Sequence, residues 1–261
     1  MRALMIAATG MSAQQMRVET ISNNLANMNT TGYNARRAEF SDLHYQQFAR
    51  PGTVNAADGT VLPTGIQLGL GVRPAAVTVH LAQGGLTQTA ADLDVAIEGN
   101  GYFEVLLPTG QSAYTRDGSL KRTGEGVIVT SDGFPLAPEI VIPADAQSIS
   151  INSEGEVFAY FSDAPEGQQL GQITLAGFTN AKGLEALGGN LFGETEASGP
   201  PVVATPGENG LGTVRQGYLE ESSVDAVREI TELISAQRGY EMNAKVITAA
   251  DQMMSATTQV R

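Results

Sequence analysis

The sequence contains no cysteine and no tryptophan, and only two histidines, among 261 residues. Without cysteine the chain has no disulfide, no thiolate nucleophile and no cysteine metal site. With histidine confined to His44 and His80, it has little material for a zinc site or a Ser-His-Asp triad. It also contains no phosphate-binding loop and no nucleophile-elbow motif. These absences favour a non-catalytic function over catalysis and leave almost no material for a metal site.

Basic residues and long apolar runs are also scarce. Fifteen Lys and Arg against 28 Asp and Glu give a net charge of −13, which repels phosphate and argues against nucleic acid as a partner. No run approaches the ~18 apolar residues of a membrane helix, so we expect no direct membrane insertion. The run Ala3–Ala8 is interrupted by Thr9 and Gly10 and is short for a secretory signal. We therefore expect no cleaved signal peptide.

Proline, methionine and glycine are distributed unevenly. All eleven prolines lie between Pro51 and Pro206, all eight methionines lie outside that interval, and 27 of the 30 glycines lie within residues 41–219. Because proline and glycine disfavour helix interiors, the ends are predicted to be helical and the centre turn-rich β-structure. We expect an α+β fold in four segments. These are an N-terminal helix over 1–32, an extended connector over 33–71, a central antiparallel β-domain over 72–219 and a C-terminal helix over 220–261.

A heptad stripe runs along the N-terminal segment. It consists of Leu4, Ala7, Met11, Gln14, Val18, Ile21, Leu25 and Met28. A period of 3.5 residues is typical of one helix packing along another in a supercoiled pair. The helix is expected to end within residues 29–32, where Gly32 can adopt the left-handed conformation.

The C-terminal segment carries a second stripe of the same period. Ser222 and Asp225 have the S-x-x-D spacing of a helix start. The stripe that follows consists of Ile230, Leu233, Gln237, Tyr240, Ala244, Ile247, Asp251 and Met254. We expect the two terminal helices to pair as a coiled-coil-like inner domain that serves subunit assembly. The alternative is that each helix packs only on its own domain.

Turn signals recur about every eight residues through the centre, among them Asn100-Gly101, Thr109-Gly110 and Asp117-Gly118. Short β-like runs between such turns predict antiparallel hairpins. Residues 40–71 differ, since Pro51-Gly52 and Asp58-Gly59 stand among scattered apolar residues. This stretch is predicted to be extended and weakly ordered until it meets a neighbour.

Four ordered motifs carry a resemblance that spans essentially the whole chain. They are Ser22–Tyr33, Asp94–Phe103, Tyr114–Ser119 and Gln237–Lys245. Together they resemble the bacterial flagellar rod and hook protein family. The family residues of the first motif are Asn23, Asn24, Leu25, Ala26, Asn27, Thr31, Gly32 and Tyr33. Phe40–Gly65 resembles the insertion that separates the distal rod from the hook, which makes the distal rod the closest match within the family.

The resemblance implies a structural subunit without cofactor that polymerises into a rigid helical tube. This tube would be the distal basal-body rod crossing the periplasm, enclosing the export channel and transmitting torque from motor to hook. The implied partners are further copies of the chain, proximal rod proteins, the hook or hook-rod boundary protein, surrounding ring proteins and the flagellar type III export apparatus. A proximal rod or other axial protein is the alternative within the family. A free-standing ligand-binding or hydrolytic β-domain with helical tails is the alternative of another class.

Overall fold

The computed structural model describes residues 2–50, 64–162 and 164–259. The described residues form two α-helices, α1 (Arg2–Ala26) and α2 (Ala226–Gln259), with twenty strands and one 3-10 turn (Ala181–Gly183) between them. Internal contacts divide the chain into two units. Unit 1 comprises the described residues of Met1–Ala26, Arg36–Thr78 and Asp225–Arg261, and unit 2 comprises those of Asn27–Ala35 and Val79–Val224.

Unit 1 contains both helices and two small antiparallel ladders. Its strands are β1 (Arg36–Asp42), β2 (Tyr45–Ala49), β3 (Ile66–Gly69) and β4 (Val72–Val79). Strand β1 pairs with β4, and β2 pairs with β3. Whereas β4 begins the segment predicted as the central β-domain, β1, β2 and β3 lie in the stretch for which we predicted an extended connector. The described part of it is therefore locally paired, although residues 51–63, which carry most of its turn signals, lie outside the described residues.

Unit 2 contains sixteen of the described strands. They are β5 (Leu86–Gln88), β6 (Val95–Glu98), β7 (Tyr102–Leu106), β8 (Ser112–Thr115), β9 (Lys121–Arg122), β10 (Ile128–Val129), β11 (Leu136–Ala137), β12 (Ser148–Ile151), β13 (Glu156–Phe161), β14 (Ala164–Gln172), β15 (Leu175–Gly177), β16 (Glu185–Gly188), β17 (Leu191–Gly193), β18 (Val202–Ala204), β19 (Thr213–Gln216) and β20 (Tyr218–Glu220). The largest sheet has the order β16-β17-β8-β7-β15-β18, with β11 also paired to β7. All of the pairs with a described register are antiparallel.

The core of unit 2 is built from the inward-facing residues of these strands. Phe103 and Val105 on β7 alternate with side chains on the other face, and both are fully buried with Ile97, Ile128 and Leu175. A smaller aromatic cluster forms on the opposite face of β7. It consists of Tyr102, Tyr114, Phe178 and Phe192, with three edge-to-face ring contacts.

The α+β class and the antiparallel central sheets are confirmed, but both inner helix ends differ in detail from the predictions. Helix α1 ends at Ala26 rather than within 29–32, because Asn27 and Thr30 form a turn closed by a backbone bond of 3.1 Å. Gly32 is left-handed, with φ of +66°, but stands beyond that turn. At α2 the cap is Asp225 itself, whose Oδ1 accepts the N–H groups of residues 227 and 228 at 3.0 and 3.2 Å.

Candidate functional site

Within unit 1 the two helices lie side by side and run antiparallel. A Cβ added at Gly10 would lie 2.9 Å from Nδ2 of Asn243, and one added at Gly239 would lie 3.2 Å from Cδ of Gln14. Moving along α1 from residue 10 to residue 14 moves the contact on α2 back from residue 243 to residue 239, so the two helices run antiparallel. Glycine at both points removes the Cβ that would hold the helices apart.

The predicted stripe of α1 is enclosed within unit 1 along most of its length. Ala7 and Ile21 are buried, and Leu4, Met11, Gln14, Val18 and Leu25 are half-buried. Met28 is exposed and lies beyond the end of the helix. Ala13 and Asn24 are buried outside the stripe, because α1 contacts β1 as well as α2. The role of these residues in assembly stays a prediction.

The predicted stripe of α2 is less enclosed. Leu233, Ala244, Ile247 and Met254 are half-buried, whereas Ile230, Gln237, Tyr240 and Asp251 are exposed. The contacts with α1 come from residues one position earlier in the heptad: Ala236 is buried, and Glu232 Oε2 lies 3.3 Å from Nη2 of Arg17. The predicted stripe and the stripe one position earlier have the same seven-residue period. The earlier stripe contains small residues, which allow α1 to approach α2 more closely.

The far side of α2 presents an apolar face to solvent. Val227, Ile230 and Ile234 are 77%, 46% and 46% exposed. They precede Ala236, Gly239 and Asn243 by nine residues each, which is about two and a half helical turns. Their side chains therefore point away from α1, and about half or more of each is exposed to solvent.

The β2–β3 ribbon presents a second apolar surface in unit 1. Tyr45, Phe48, Ile66 and Leu68 are all exposed by half or more. An isolated two-stranded ribbon is at best marginally stable in water. The guanidinium of Arg2 lies 5.0 Å from the centre of the Phe48 ring and shields part of it.

Asn24 joins the end of α1 to the start of β1. Its Nδ2 donates to the carbonyl of Arg36 at 2.8 Å, and its Oδ1 accepts the N–H of Arg36 at 2.9 Å. The side chain is 1% exposed. It therefore satisfies both backbone groups of Arg36 as a strand partner would. Its motif neighbours on α1 are more open: Leu25 is half-buried, and Asn23 and Ala26 are exposed.

The remainder of this motif belongs to unit 2. Gly32 donates its N–H to the carbonyl of Glu220 at 2.8 Å. Asn190 donates from Nδ2 to the carbonyl of Thr31 at 3.0 Å. Asn27, Thr31 and Tyr33 are half-buried and Gly32 is buried. The motif loop is thus packed into the β-unit rather than projecting from it.

The two segments of unit 2 that lead to β1 and to α2 lie next to each other. Ser223 donates its N–H to the carbonyl of Tyr33 at 3.0 Å, and its Oγ accepts the N–H of Ala35 at 2.9 Å. The carbonyl of Ala35 accepts the N–H of His80 at 2.8 Å. Residues 33–35 and 223 therefore lie side by side where unit 2 gives way to β1 and α2.

A buried ion pair lies beneath this exit. Nε of Arg116 lies 2.8 Å from Oε2 of Glu220, and the side chains are 8% and 3% exposed. Arg116 also donates from Nη1 to the carbonyls of Gly99 and Gly101, both at 3.0 Å. Glu220 Oε1 accepts the N–H of Gly84 at 3.1 Å. Both charges are thus paired and hydrogen-bonded, as buried charges must be.

A cavity of about 520 Å³ opens beside the pair, lined in part by Asn34, Tyr102, Arg116 and Phe178. Burial raises the pKa of Tyr102, against the opposing effect of the Arg116 charge. Across the part of the chain that the structure describes, no group of three or more His, Asp or Glu side chains could hold a metal ion. None of the helices described is long and apolar enough to cross a membrane.

Three family models match successive parts of the chain. The model for the flagella basal body rod protein matches residues 4–34, the one for the flagellar hook protein FlgE/F/G D1 domain matches 96–159, and the one for the flagellar basal body rod FlgEFG protein C-terminal region matches 215–260. These matches define the class of protein as that of bacterial flagellar rod and hook proteins.

Curated relatives narrow the class. The chain is 52% identical to the flagellar basal-body rod protein FlgG of Caulobacter vibrioides, over 100% of both chains. It is 51% identical to that of Agrobacterium fabrum, over 98% of this chain and 97% of the relative. It is 45% identical to that of Borreliella burgdorferi, over 100% and 99%. The chain therefore belongs to the FlgG family of flagellar basal-body rod proteins.

Among solved structures, the flagellar hook protein FlgE2 of Helicobacter pylori is 16% identical over 71% of this chain and 43% of its own, with a TM-score of 0.25. That similarity is too low to support an argument.

Sequence reasoning missed the contacts that join the motifs. Arg116 lies within the third motif, and the Gly99 and Gly101 carbonyls to which it donates lie within the second. Its ion-pair partner Glu220 lies 104 residues further along the chain, outside all four motifs. Within Tyr114–Ser119 the arginine stands next to Asp117, and no local signal marks its distant partner.

Proposed function

We propose that this chain is a subunit of the distal segment of the basal-body rod. It polymerises with copies of itself into a rigid helical tube that encloses the export channel and transmits torque from motor to hook. Membership of the FlgG family makes the chain a structural protein of the flagellar basal body and not an enzyme. The proposal concerns its place in the rod and the surfaces by which it assembles.

The apolar outer face of α2 is the observation that carries the proposal. Burying the exposed part of Val227, Ile230 and Ile234 against a neighbour contributes about 3–5 kcal/mol per subunit. In the monomer this face contributes no burial free energy, because its apolar side chains are exposed to water. In a tube of identical subunits, every copy buries this face against a neighbouring copy.

The antiparallel pairing of α1 with α2 supports a coiled-coil-like inner domain. The two helices approach closely at Gly10 and Gly239, and Arg17 pairs with Glu232 across them. In this proposal the predicted stripe residues serve assembly in two ways. Those of α1 hold the pair together, and the exposed Ile230 and Tyr240 of α2 meet the next subunit.

The β2–β3 ribbon supports a role for the connector between subunits. Its four exposed apolar side chains are covered when the ribbon packs on a neighbouring copy, which restricts bending of the tube. Proximal rod proteins, the hook or hook-rod boundary protein and the surrounding rings are the further partners in this proposal. Subunits reach the growing end through the type III apparatus.

The outer face is tested by Ile230→Asp/Ile234→Asp in the full-length chain. Its matched control is Thr231→Asp/Ser235→Asp, which adds the same charges at exposed positions one residue further along α2. Sedimentation velocity over increasing concentration, followed by negative-stain microscopy, measures assembly. The wild-type chain and the control are expected to form rods, and the double isoleucine variant to remain monomeric. Rods of the isoleucine variant at the wild-type concentration would refute the proposal.

A further inference from the structure

The motif loop Asn27–Ala35 reaches unit 2 as an inserted segment. Residues 36–78, which follow it, belong to unit 1, so no local chain continuity holds the loop on the β-unit. Hydrogen bonds tie it there, among them Gly32 to the carbonyl of Glu220, Asn190 to the carbonyl of Thr31, Ser223 to Tyr33 and Ala35, and His80 to the carbonyl of Ala35.

The bonds to Glu220 and Ser223 depend on the position of the strand β20 and the residues after it. The side chain of Glu220 is fixed from two sides, by Arg116 Nε at 2.8 Å and by the Gly84 N–H at 3.1 Å. Arg116 is fixed in turn by the carbonyls of Gly99 and Gly101. The planar guanidinium fork is suited to such a three-way junction, which a lysine could not fill.

We propose that Arg116 and Glu220 are positioning residues for assembly. Their ion pair sets the backbone of residue 220, and this backbone holds the motif loop through Gly32 and, three residues further on, through Ser223. The two stretches that lead to β1 and α2 consequently leave unit 2 together. We call this arrangement the exit latch: the pair Arg116–Glu220 with the loop bonds at Gly32 and Ser223.

The exit latch rests on the proposed function, since it matters for assembly only if the helices beyond it form the subunit contacts. The latch gives a role in assembly to a buried ion pair whose charges are costly to desolvate. A buried ion pair is weak support for stability, because desolvation offsets the attraction, but its geometry can specify one arrangement of the chain. Close backbone contact supports the same reading, since a Cβ at Gly32 would lie 2.8 Å from the carbonyl carbon of Arg116.

Two variants of the full-length chain test the latch, Glu220→Gln and Arg116→Lys. The first keeps the shape and removes the charge, and the second keeps the charge and removes the fork. Matched controls are Glu221→Gln, the exposed carboxylate next in the chain, and Arg122→Lys, an exposed arginine on β9. Hydrogen exchange at the Gly32 and Ser223 amides is measured in the monomer, and rod formation in concentrated protein. Near-UV circular dichroism selects a temperature at which unit 2 of every variant is folded.

Loss of the pair is expected to speed exchange at Gly32 and Ser223 by about 100-fold or more and to suppress rod formation while unit 2 is still folded. The controls are expected to match wild type in both measurements. Unchanged exchange in Glu220→Gln and Arg116→Lys would overturn the latch. Faster exchange with rod formation at the wild-type rate would overturn its role in positioning. Failure of the wild-type chain to form rods would refute the proposed function and the assembly role together, whereas exchange at Gly32 reports on the latch separately.

Discussion

Replacing Asn24 with alanine is expected to release the start of β1 from the end of α1. The two hydrogen bonds with Arg36 contribute about 1 kcal/mol each, and leaving their backbone partners unpaired costs about a further 1 kcal/mol. Alanine is the better helix former by about 0.6 kcal/mol, which offsets part of this loss. The net loss of about 2 kcal/mol corresponds to exchange of the Arg36 amide that is about 30-fold faster.

Hydrogen exchange of the full-length monomer measures this effect at the amide concerned. Asn24→Asp keeps the acceptor for the Arg36 N–H but buries an unpaired carboxylate oxygen against the Arg36 carbonyl, so its effect is expected to be at least as large as that of Asn24→Ala. Asn29→Ala, at an exposed motif position beyond α1, is the control and is expected to change nothing at Arg36. Arg36 exchange that is unchanged in Asn24→Ala, or equally fast in Asn29→Ala, would refute the reasoning.

Three further predictions concern single side chains. Gly32→Ala is expected to lower the melting temperature of unit 2 more than Gly110→Ala does, since both glycines have positive φ but only a Cβ at Gly32 meets backbone, 2.8 Å away; equal effects would contradict the close packing of the motif loop. Asp225→Ala is expected to cost about 1 kcal/mol and to speed exchange in the first turn of α2, because the cap accepts two N–H groups there. Burial raises the pKa of Tyr114 to about 12 from 10.0, so the free energy of unfolding should fall as pH rises from 10.0 to about 12, where the unfolded ring ionises first. Tyr114→Phe should remove that part of the pH dependence in an alkaline unfolding titration, and an unchanged profile would count against it.

The sequence predicts the arrangement of the fold because its signals are local. Proline, confined to the centre, glycine, concentrated there, and heptad spacing at the ends separate the helices from the strands without any long-range information. The hairpins follow in the same way. The turn at Thr109-Gly110 joins β7 to β8, and Gly110 has the positive φ that such a turn requires.

The contacts that complete the candidate site depend on pairs distant in sequence, which periodicity cannot identify. The heptad pattern marks Ile230 and Tyr240 as seam positions, but small side chains at Ala236 and Gly239 let α1 approach there instead. Of the outer face of α2, only Ile230 belongs to the predicted stripe. Nothing local indicates that Glu220 meets Arg116.

The connector shows a third kind of difference. Its described residues form β1, β2 and β3, although composition predicts a weakly ordered chain. Pairing within unit 1 supplies the backbone hydrogen bonds that composition alone does not indicate, while the side chains of Phe48 and Ile66 remain exposed as expected of a segment awaiting a neighbour.

Because the chain lacks cysteine, a single introduced thiol reports on one position without background. Ile234→Cys places that thiol on the outer face of α2, where it can be labelled with a maleimide in the monomer and in assembled rods. The account predicts rapid labelling of the monomer and protection in the rod, since assembly buries this face. Equal labelling of monomer and rod would contradict the central claim that subunits assemble through the outer face of the C-terminal helix.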